Sequence, residues 1–518
     1  KDGGYVVGWT SSEQDGSLSG VYARRYDANG YAVGGEFQLN TYTDNYQSNV
    51  KIAALEDGGF VAVWVSYGQD GSETGIYAQR YNVDGERVGT EFQVNTYTYH
   101  YQQWGMPAGL KDGGFVIVWM EQGGQDGSGS GQYGQRYDAD GNTVGGEFRI
   151  NTSTAENQNG GQVVATDDGG FLVVWSYNTP NVSPRGVYGQ RYDADGNTVG
   201  GEFRIADATG GSTQQYFPRA TMLADDAFVV TWIEGPSGPG RKIYGQMYDS
   251  SGSRSGSKFL ISDGTEYDSY YQTVTTLTDG TFVVTWYSTI GSDTNVYGRR
   301  YEADGTTITD IFQLNDYDTG VQSSPHIDAL PDGGFVVVWT SNGQDGDDGG
   351  VYMRRYDADG NVVPMLGTDL GDSLEGTDGA DTLEGFAGDD RLIGGEGDDV
   401  LDGGTGDDTA TFSGVRSDYV ISYDAESGTL SVRDTDTSDG DDGTDTLSGI
   451  ETAAFRRTNL GLYSEALDNV AWAKTRSTIV ANAALALGMK VIGHDPKITV
   501  QRAWQMSSGV QQAVNVDD

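Results

Sequence analysis

Cysteine is absent from the chain, and histidine is rare, with 3 among 518 residues. Disulfide bonds therefore do not hold this fold, whatever its compartment. No run of 18 apolar residues occurs, so the sequence predicts no membrane-spanning helix. The first residues, KDGGYVVGW, belong to a repeat and not to a signal peptide. This indicates a trimmed chain or export without an N-terminal signal.

Basic residues are also scarce. The chain has 31 lysines and arginines against 76 aspartates and glutamates, which gives a formal net charge of −45. Such a charge repels phosphate backbones, so no nucleic-acid partner is expected. It also requires counter-ions, and divalent cations are the obvious candidates, although scattered carboxylates can serve solubility alone.

Glycine and tyrosine are abundant instead, at 79 and 32 residues. A pattern close to DGGFVVVW recurs every 53 to 57 residues and ends in a tryptophan; these are Trp9, Trp64, Trp119, Trp175, Trp232, Trp286 and Trp339. Each period contains four strand-like runs, in the second copy SNVKIAAL (48–55), FVAVWVS (60–66), IYAQRYNV (76–83) and TEFQVN (90–95). Seven such repeats predict an all-β fold with a seven-bladed β-propeller over residues 1–364, and a solenoid is the alternative.

The runs within a repeat differ in their apolar pattern. FVVVW is apolar throughout, which predicts a strand covered on both faces by neighbouring blades, whereas EFQVN alternates as a partly exposed outer strand does. A small residue such as Ala78 or Gly134 follows the first tyrosine of each third strand. This small residue would let an adjacent blade approach closely. Alternatively, as a strand glycine, it would only mark the twist of the strand. The first strand has six clear copies, so we expect that of the first blade to precede Lys1 or to be supplied from elsewhere.

Two acidic loop types recur between these strands. The string GQDG, as at 68–71 and 124–127, is expected on one rim of the propeller. The string YDADGN, as at 137–142 and 192–197, is expected at the opposite connections. Two carboxylates and a glycine resemble half a calcium loop, but most such strings are turns stabilised by aspartate side chains.

After Pro364 the pattern changes to five consecutive nine-residue units: GTDLGDSLE, GTDGADTLE, GFAGDDRLI, GGEGDDVLD and GGTGDDTAT. These units resemble the RTX repeat, GGxGxDxUx, in which U is a large apolar residue. The candidate metal ligands are the aspartates at the sixth place, with turn glycines that direct backbone carbonyls inward: Asp372, Asp381, Asp390, Asp399, Asp408, Gly379, Gly388, Gly395, Gly397 and Gly404. An all-oxygen ligand set suits Ca²⁺, and several ions are expected.

The RTX resemblance implies a parallel β-roll over residues 365–411 that forms only with calcium. It also implies export by a type I secretion machinery and an extracellular or cell-surface location. Residues 412–458 resemble the β-rich segment that commonly follows such repeats. Within them, the acidic loop 434–445 is interpreted as a solvated loop, with a further ion site as the alternative.

Residues 459–518 form a tail of different composition, with more helical character. The stretch IVANAALALGMKVIGHDPKITVQRAW resembles an internal part of the phosphoglycerate-dehydrogenase-like 2-hydroxyacid dehydrogenases. The glycine fingerprint that should precede such a helix is missing, so no cofactor site is assigned there.

Two functions remain open. The first is a secreted, adhesin-like protein whose propeller recognises a glycan or a cell-surface protein. The second is an extracellular polysaccharide lyase or hydrolase with its site on the propeller rim. A lyase needs a base near a charge-neutralising group, and neither His100, in TYHYQQW, nor His326, in SSPHIDAL, lies near an arginine in the sequence. No catalytic residue is therefore assigned.

Overall fold

The structure is a computed structural model of the whole chain. It describes residues 3–28, 30, 32–127, 129–154, 157–177, 186–207, 213–236, 240–262, 268–290, 293–315, 320–342, 349–363, 367, 371–376, 382–424, 429–436, 442–456, 462–463, 492–493 and 511–512. The chain divides into two compact units, residues 1–28 with 33–361 and residues 29–32 with 362–518. Each unit is described separately.

The first unit is a seven-bladed β-propeller, as the repeat predicts. Blade 1 contains β1 (Tyr5–Ser12), β2 (Ser19–Tyr26) and β3 (Ala32–Gln38). Blade 2 contains β4 (Gln47–Ala54), β5 (Phe60–Tyr67), β6 (Thr74–Tyr81) and β7 (Arg87–Gln93). Blade 3 contains β8 (Tyr101–Gly109), β9 (Phe115–Gln122), β10 (Ser130–Tyr137) and β11 (Thr143–Arg149). Blade 4 contains β12 (Gln158–Ala165), β13 (Phe171–Tyr177), β14 (Gly186–Tyr192) and β15 (Thr198–Asp207).

The last three blades repeat this order. Blade 5 contains β16 (Gln214–Met222), a 3₁₀ turn (Ala224–Asp226), β17 (Phe228–Gly235), β18 (Lys242–Tyr248) and β19 (Arg254–Leu260). Blade 6 contains β20 (Asp268–Thr276), β21 (Phe282–Ile290), β22 (Asp293–Tyr301) and β23 (Phe312–Gln313). Blade 7 contains β24 (Gln322–Ala329), β25 (Phe335–Ser341), β26 (Gly350–Tyr356) and β27 (Val362–Val363).

The second strand of each blade forms the core. Every residue of β5 except its last is buried, and Trp64, Trp119 and Trp175 are at most 1% exposed. The fourth strands are more exposed, as β7 shows. The small residue of the third strand has a different role from the expected contact between blades. A Cβ on Gly134 would meet the ring of Phe148, which lies opposite it in the same blade.

Within the described residues, blade 1 has three strands and lacks a first strand. A cavity of about 510 Å³ lies in its place, lined by Tyr5 of β1, Ile52 of β4 and Ile327 of β24. This cavity is the open position of blade 1, where the described residues supply no strand.

Both acidic loop types have structural roles. Gln69 of the first type donates to Glu91 Oε1 at 2.6 Å, while Glu91 Oε2 accepts from the backbone N–H of Thr41 at 2.6 Å and from its hydroxyl at 2.9 Å. The loop thus latches blade 2 to blade 1. In the second type, Asp138 Oδ1 accepts the N–H groups of Asp140 and Asn142. The side-chain amide of Asn142, followed by its backbone N–H, lowers the pKa of Asp138, as expected for an aspartate-stabilised turn.

The second unit begins with short strands, each ending one nonapeptide: β28 (Ser373–Glu375), β29 (Thr382–Glu384), β30 (Arg391–Ile393), β31 (Val400–Asp402) and β32 (Thr409–Val415). It continues with a 3₁₀ turn (Arg416–Asp418), β33 (Tyr419–Asp424), β34 (Thr429–Asp434), β35 (Thr444–Ser448), β36 (Thr452–Arg456), β37 (Leu462–Tyr463), β38 (Ile492–Gly493) and β39 (Gln511–Gln512). Most of the tail, with its expected helical segment, lies outside the described residues.

Candidate metal centre and propeller channel

Successive nonapeptides alternate between two parallel sheets, β28-β30-β32-β36 and β29-β31-β35. One full coil therefore spans 18 residues: Leu374 pairs with Leu392, and Leu383 with Leu401. These four leucines are at most 4% exposed and form the thin core predicted from the eighth place of the repeat.

The sixth-place aspartates lie in columns along the coils. Asp390 Oδ1 accepts the backbone N–H of Asp372 at 2.7 Å, and Asp408 Oδ1 accepts that of Asp390 at 2.8 Å. Each of these two carboxylates therefore uses one oxygen to hold the preceding coil. The other oxygens, Asp390 Oδ2 and Asp408 Oδ2, are buried and have no hydrogen-bond partner among the described residues. A buried, unsatisfied carboxylate oxygen is costly unless a proton or a cation meets it.

The turn glycines leave room for these carboxylates. A Cβ on Gly385 would collide with Asp390 Oδ2, and one on Gly394 would collide with Asp399 Oδ2. Four predicted glycines adopt positive φ, at 81° to 120°: Gly388, Gly395, Gly397 and Gly404. Gly379 and Asp381 lie outside the described residues.

The electrostatics of the columns favour a bound cation. Burial, together with neighbouring carboxylates, raises the pKa of Asp390 to about 6 and also raises the pKa of Asp408. Among the described residues, no three His, Cys, Asp or Glu side chains converge on one point. Because Ca²⁺ takes 6–8 oxygen ligands, backbone carbonyls of the turns would have to supply most of them. The all-oxygen donor set fits calcium and not a soft metal.

A sixth turn follows after an inserted hairpin. Residues 440–448 read GDDGTDTLS, which places Gly443, Asp445 and Leu447 at the fourth, sixth and eighth positions of the repeat. Leu447 pairs with Leu401 in parallel register, and Asp445 Oδ1 accepts the N–H of Asp399 at 2.9 Å. This is the bond made by Asp390 and Asp408. The sequence analysis missed this turn because β32 to β34 interrupt the count of nine.

The interpretation of 434–445 as a solvated loop is wrong at Asp434, Asp442 and Asp445, which are buried, whereas Thr435 and Asp436 are exposed as expected. Asp442 and Asp445 are 5% and 2% exposed. Asp442 accepts from the backbone N–H of Ser413 at 2.8 Å and from the Tyr419 hydroxyl. Burial and the nearby carboxylates of Asp399 and Asp442 raise the pKa of Asp445 to about 8.

A second candidate site lies in the propeller channel. The first strand of each of blades 2 to 7 carries a β-bulge at the same position. The bulge residues have φ between 46° and 66°: Asn49, Trp104, Gly160, Phe217, Tyr271 and Ser324. Two residues later the strands place Lys51, Met106, Gln162, Arg219, Thr273 and His326 at equivalent positions. Members of both sets line a cavity of about 260 Å³.

Three of these channel residues are basic. Lys51 Nζ donates to His326 Nε2 at 3.0 Å, which requires a neutral imidazole. The charge of Lys51, followed by burial and the charge of Arg219, lowers the pKa of His326 well below its usual value. Burial, followed by the charge of Arg219, lowers the pKa of Lys51 to about 8. Burial also lowers the pKa of Arg219 to about 10. This cluster could not be predicted from the sequence, because its members come from blades 2, 5 and 7.

The other predicted positions are less suited to chemistry. His100 Nδ1 faces Glu73 Oε2 at 3.3 Å in a shallow groove of about 640 Å³. In blades 4 and 5 the loops between the second and third strands, NTPNVSPRG (178–186) and EGPSGPGRK (234–242), break the GQDG pattern, and residues 178–185 and 237–239 of them lie outside the described residues. Arg241 lies over the rings of Tyr216 and Tyr270, 5.5 and 4.9 Å from their centroids.

Comparison with known proteins identifies the nonapeptides. Residues 366–401 and 375–410 match the RTX calcium-binding nonapeptide repeat. The RTX match covers only this short part of the chain. No curated protein matches the chain, and no match supports the resemblance of the tail to dehydrogenases. Among the described residues, no helix is long and apolar enough to cross a membrane.

Solved structures resemble the propeller at low identity. A protein of unknown function from Dyadobacter fermentans is 14% identical over 59% of this chain and 93% of its own, with a TM-score of 0.43. A PL25 ulvan lyase is 10% identical over 60% and 80%, also at 0.43. The propeller domain of the trilobed protease from Pyrococcus furiosus is 9% identical over 69% and 92%, at 0.41. Likenesses of this size carry no inference about activity.

Proposed function

We propose that this chain is an extracellular, calcium-loaded binding protein. Its RTX roll folds on calcium after type I secretion, and its propeller recognises a glycan or a partner on a cell surface. The metal ligands are the predicted sixth-place aspartates and turn carbonyls, together with Asp445 of the sixth turn. Calcium, when bound, would neutralise the carboxylate columns.

One observation carries the calcium role: the buried oxygens Asp390 Oδ2 and Asp408 Oδ2 lack hydrogen-bond donors among the described residues. Each points into space that a glycine at the first place of its own nonapeptide keeps open, Gly385 for Asp390 and Gly403 for Asp408. Cytosolic calcium is too low to fill weak sites, whereas extracellular modules bind with dissociation constants on the order of 10⁻⁴ to 10⁻³ M. The roll would therefore remain unfolded until export is complete.

A calcium titration of the full chain tests this role. Circular dichroism and calorimetry should show cooperative folding of the roll, with several ions bound, and a chelator should reverse it. The double variant D390N/D408N should raise the midpoint at least tenfold, whereas D359N, at an exposed propeller turn, should leave it unchanged. A roll that stays folded in chelator would refute the calcium role.

The binding role of the propeller has its own test. The calcium-loaded chain, labelled and applied to an array of acidic and neutral glycans and to intact cells, should bind a defined class of ligand in a saturable way. Absence of any saturable binding would remove this role while leaving calcium-dependent folding intact.

A second function is favoured by one arrangement. The channel brings neutral His326 beside Lys51 and Arg219, which are a base and the charge-neutralising groups that a polysaccharide lyase needs. In such a β-elimination the imidazole removes the C5 proton of a uronate while the cations stabilise the carboxylate. The C4–O bond then breaks, a C4–C5 double bond forms, and the leaving oxygen takes a proton. Ultraviolet absorbance of the unsaturated product, present in wild type and absent in H326A, would establish this activity.

A further inference from the structure

The geometry points to the bulge level of the propeller channel as a binding site for a sugar unit that carries a carboxylate or a sulfate. This inference rests on the proposed binding function and names the ligand class and the residues that recognise it. Three features support it: cations that have no carboxylate partner among the described residues, an aromatic arc, and strained backbone at the positions that hold the arc.

Basic side chains are unusual in this molecule. The chain carries a net charge of −45, yet Lys51 and Arg219 enter one cavity of about 260 Å³. Among the described residues, no carboxylate lies within ion-pair distance of either side chain. Their lowered pKa values have burial as the main cause. Lys51 and Arg219 are half-buried in the channel, and a half-buried cation without a carboxylate partner favours a bound anion.

Asp328 is the acidic residue nearest along β24, two positions after His326. It lines the neighbouring cavity at the open position of blade 1 and not the bulge-level cavity. Burial raises the pKa of Asp328, and none of the three basic channel residues contributes to that shift. Among the described residues, the carboxylate of Asp328 is not within ion-pair distance of Lys51, Arg219 or His326.

The aromatic arc lies at the bulge positions beside these cations. Phe217 stacks on Tyr271 with ring centroids 5.4 Å apart and an interplanar angle of 18°, and Trp104 meets Phe217 edge-on at 6.1 Å. Between them the bulge residue of blade 4 is Gly160, where a Cβ would contact Phe217 at 3.4 Å. Tyr271 remains 46% exposed, so the arc presents ring surface to the channel.

The backbone at the arc is strained. Positive φ suits glycine and asparagine, which occupy this position in blades 4 and 2, and it is unfavourable for bulky residues. Trp104, Phe217 and Tyr271 nonetheless adopt φ of 55°, 46° and 46°. Such strain concentrates at functional sites. The same conformation occurs at Asn49, Gly160 and Ser324, so the bulge of each blade sets it, and what is particular to blades 3, 5 and 6 is a bulky aromatic residue at that position.

The aromatic rings and the two cations together indicate the class of ligand. An aromatic face accepts the apolar C–H face of a sugar ring, while Lys51 and Arg219 pair with an acidic substituent on that ring. The cavity, at about 260 Å³, is slightly smaller than an ordinary small-ligand pocket, so it would hold a single sugar unit and not a folded partner. The large negative charge of the chain argues against a nucleic-acid ligand.

Calorimetry on the calcium-loaded full chain tests the inference with three probes of equal length: oligogalacturonate, a sulfated galactan oligosaccharide and a neutral galactan oligosaccharide. At least one acidic probe should bind about tenfold or more tightly than the neutral one, because a charge-assisted bond is worth roughly one such factor. Comparison of the two acidic probes distinguishes a carboxylate from a sulfate.

Variants make the test specific. K51M and R219M should each weaken the acidic probe about tenfold and leave the neutral probe unchanged. W104A should weaken every probe that binds. K111M removes the same charge from an exposed turn, where Lys111 Nζ lies 3.4 Å from Asp167 Oδ1, and should change nothing. Circular dichroism and melting curves identify any variant that fails to fold.

The outcomes separate the two proposals. If the glycan array shows binding but acidic and neutral probes bind equally, or if K51M and R219M behave as K111M does, the channel inference is wrong and the binding function stands. If neither a glycan nor a cell binds the chain, the binding function and the channel inference are both wrong. Binding of the acidic probe that is lost in K51M and R219M, and retained in K111M, supports both.

Discussion

Asp445 Oδ1 accepts a hydrogen bond from the backbone N–H of Asp399 at 2.9 Å, although 46 residues separate them in sequence. The same bond joins Asp390 to Asp372 and Asp408 to Asp390 across 18 residues. Residue 445 therefore extends an aspartate column beyond the hairpin that interrupts the repeats.

The first prediction concerns this extension. D445N keeps an oxygen that can accept from Asp399 but removes the charge that would meet a cation. We expect a lower calcium stoichiometry and a weaker last transition, with the propeller melting unchanged. D359N removes an exposed charge and is the matched control. Equal calcium binding by D445N and wild type, measured by calorimetry, would exclude Asp445 as a ligand.

The second prediction concerns pH in the absence of calcium. The pKa is about 6 for Asp390 and about 8 for Asp445 in the folded chain, against about 3.9 for an unfolded aspartate. The folded roll therefore binds more protons than the unfolded chain. Its stability is fully present below about pH 4 and is lost as pH rises through these two values.

Circular dichroism of the chelator-treated chain should accordingly show more β-structure at pH 5 than at pH 8.5. Saturating calcium should remove most of this difference, because the cation replaces the protons. A roll that gains order with rising pH in chelator would contradict the assigned pKa shifts.

The third prediction concerns the glycine that opens each site. G394A places a methyl group against the carboxylate of Asp399, and overpacking of this kind costs about 1–3 kcal/mol. The calcium midpoint should rise and the roll should melt earlier. G146A is the matched control, because a Cβ there meets nothing within 4 Å. Similar calcium midpoints for the two variants would show that Gly394 is not required for the site.

The fourth prediction concerns the latch between neighbouring blades, which is the set of hydrogen bonds accepted by a glutamate of the fourth strand. Glu147 Oε2 accepts from the N–H and hydroxyl of Thr96 at 2.8 and 2.9 Å, and Oε1 accepts from Gln125 at 2.7 Å. E147A should therefore lower the free energy of unfolding of the propeller by about 1–3 kcal/mol. Differential scanning calorimetry should show this loss without a change in calcium binding.

E302A is its control, since Glu302 is an exposed acid of a propeller turn that makes no side-chain hydrogen bond of this kind. A loss in E302A equal to that in E147A would assign the effect to net charge and not to the latch.

The propeller could be predicted from the sequence because each repeat consists of residues that pack against others nearby in the chain. The burial of Trp64 and Trp119 follows from continuous apolar runs, and the missing strand of blade 1 follows from the count of runs. The role of Gly134 was mistaken because the ring that covers it, Phe148, belongs to the same blade.

The two functional features differed in how far the sequence revealed them. The five nonapeptides are contiguous, so the leucine core and the aspartate columns were predictable. The sixth was detectable only by matching GDDGTDTLS to the repeat without requiring an uninterrupted register. Lys51 and His326 are 275 residues apart, and they meet because the ring closes and each first strand bulges at the same place. That register is a property of the fold and not of any local motif.

The bond from each carboxylate to the coil before it gives the roll a direction. Asp372 is held by Asp390, and Asp390 by Asp408, so each of these two coils is held by a residue 18 positions later in the chain. Each coil is therefore completed only when the coil after it is in place, so the roll is expected to fold cooperatively and not one coil at a time. Asp445 holds Asp399 in the same way, so that coil depends on a residue that lies beyond the inserted hairpin.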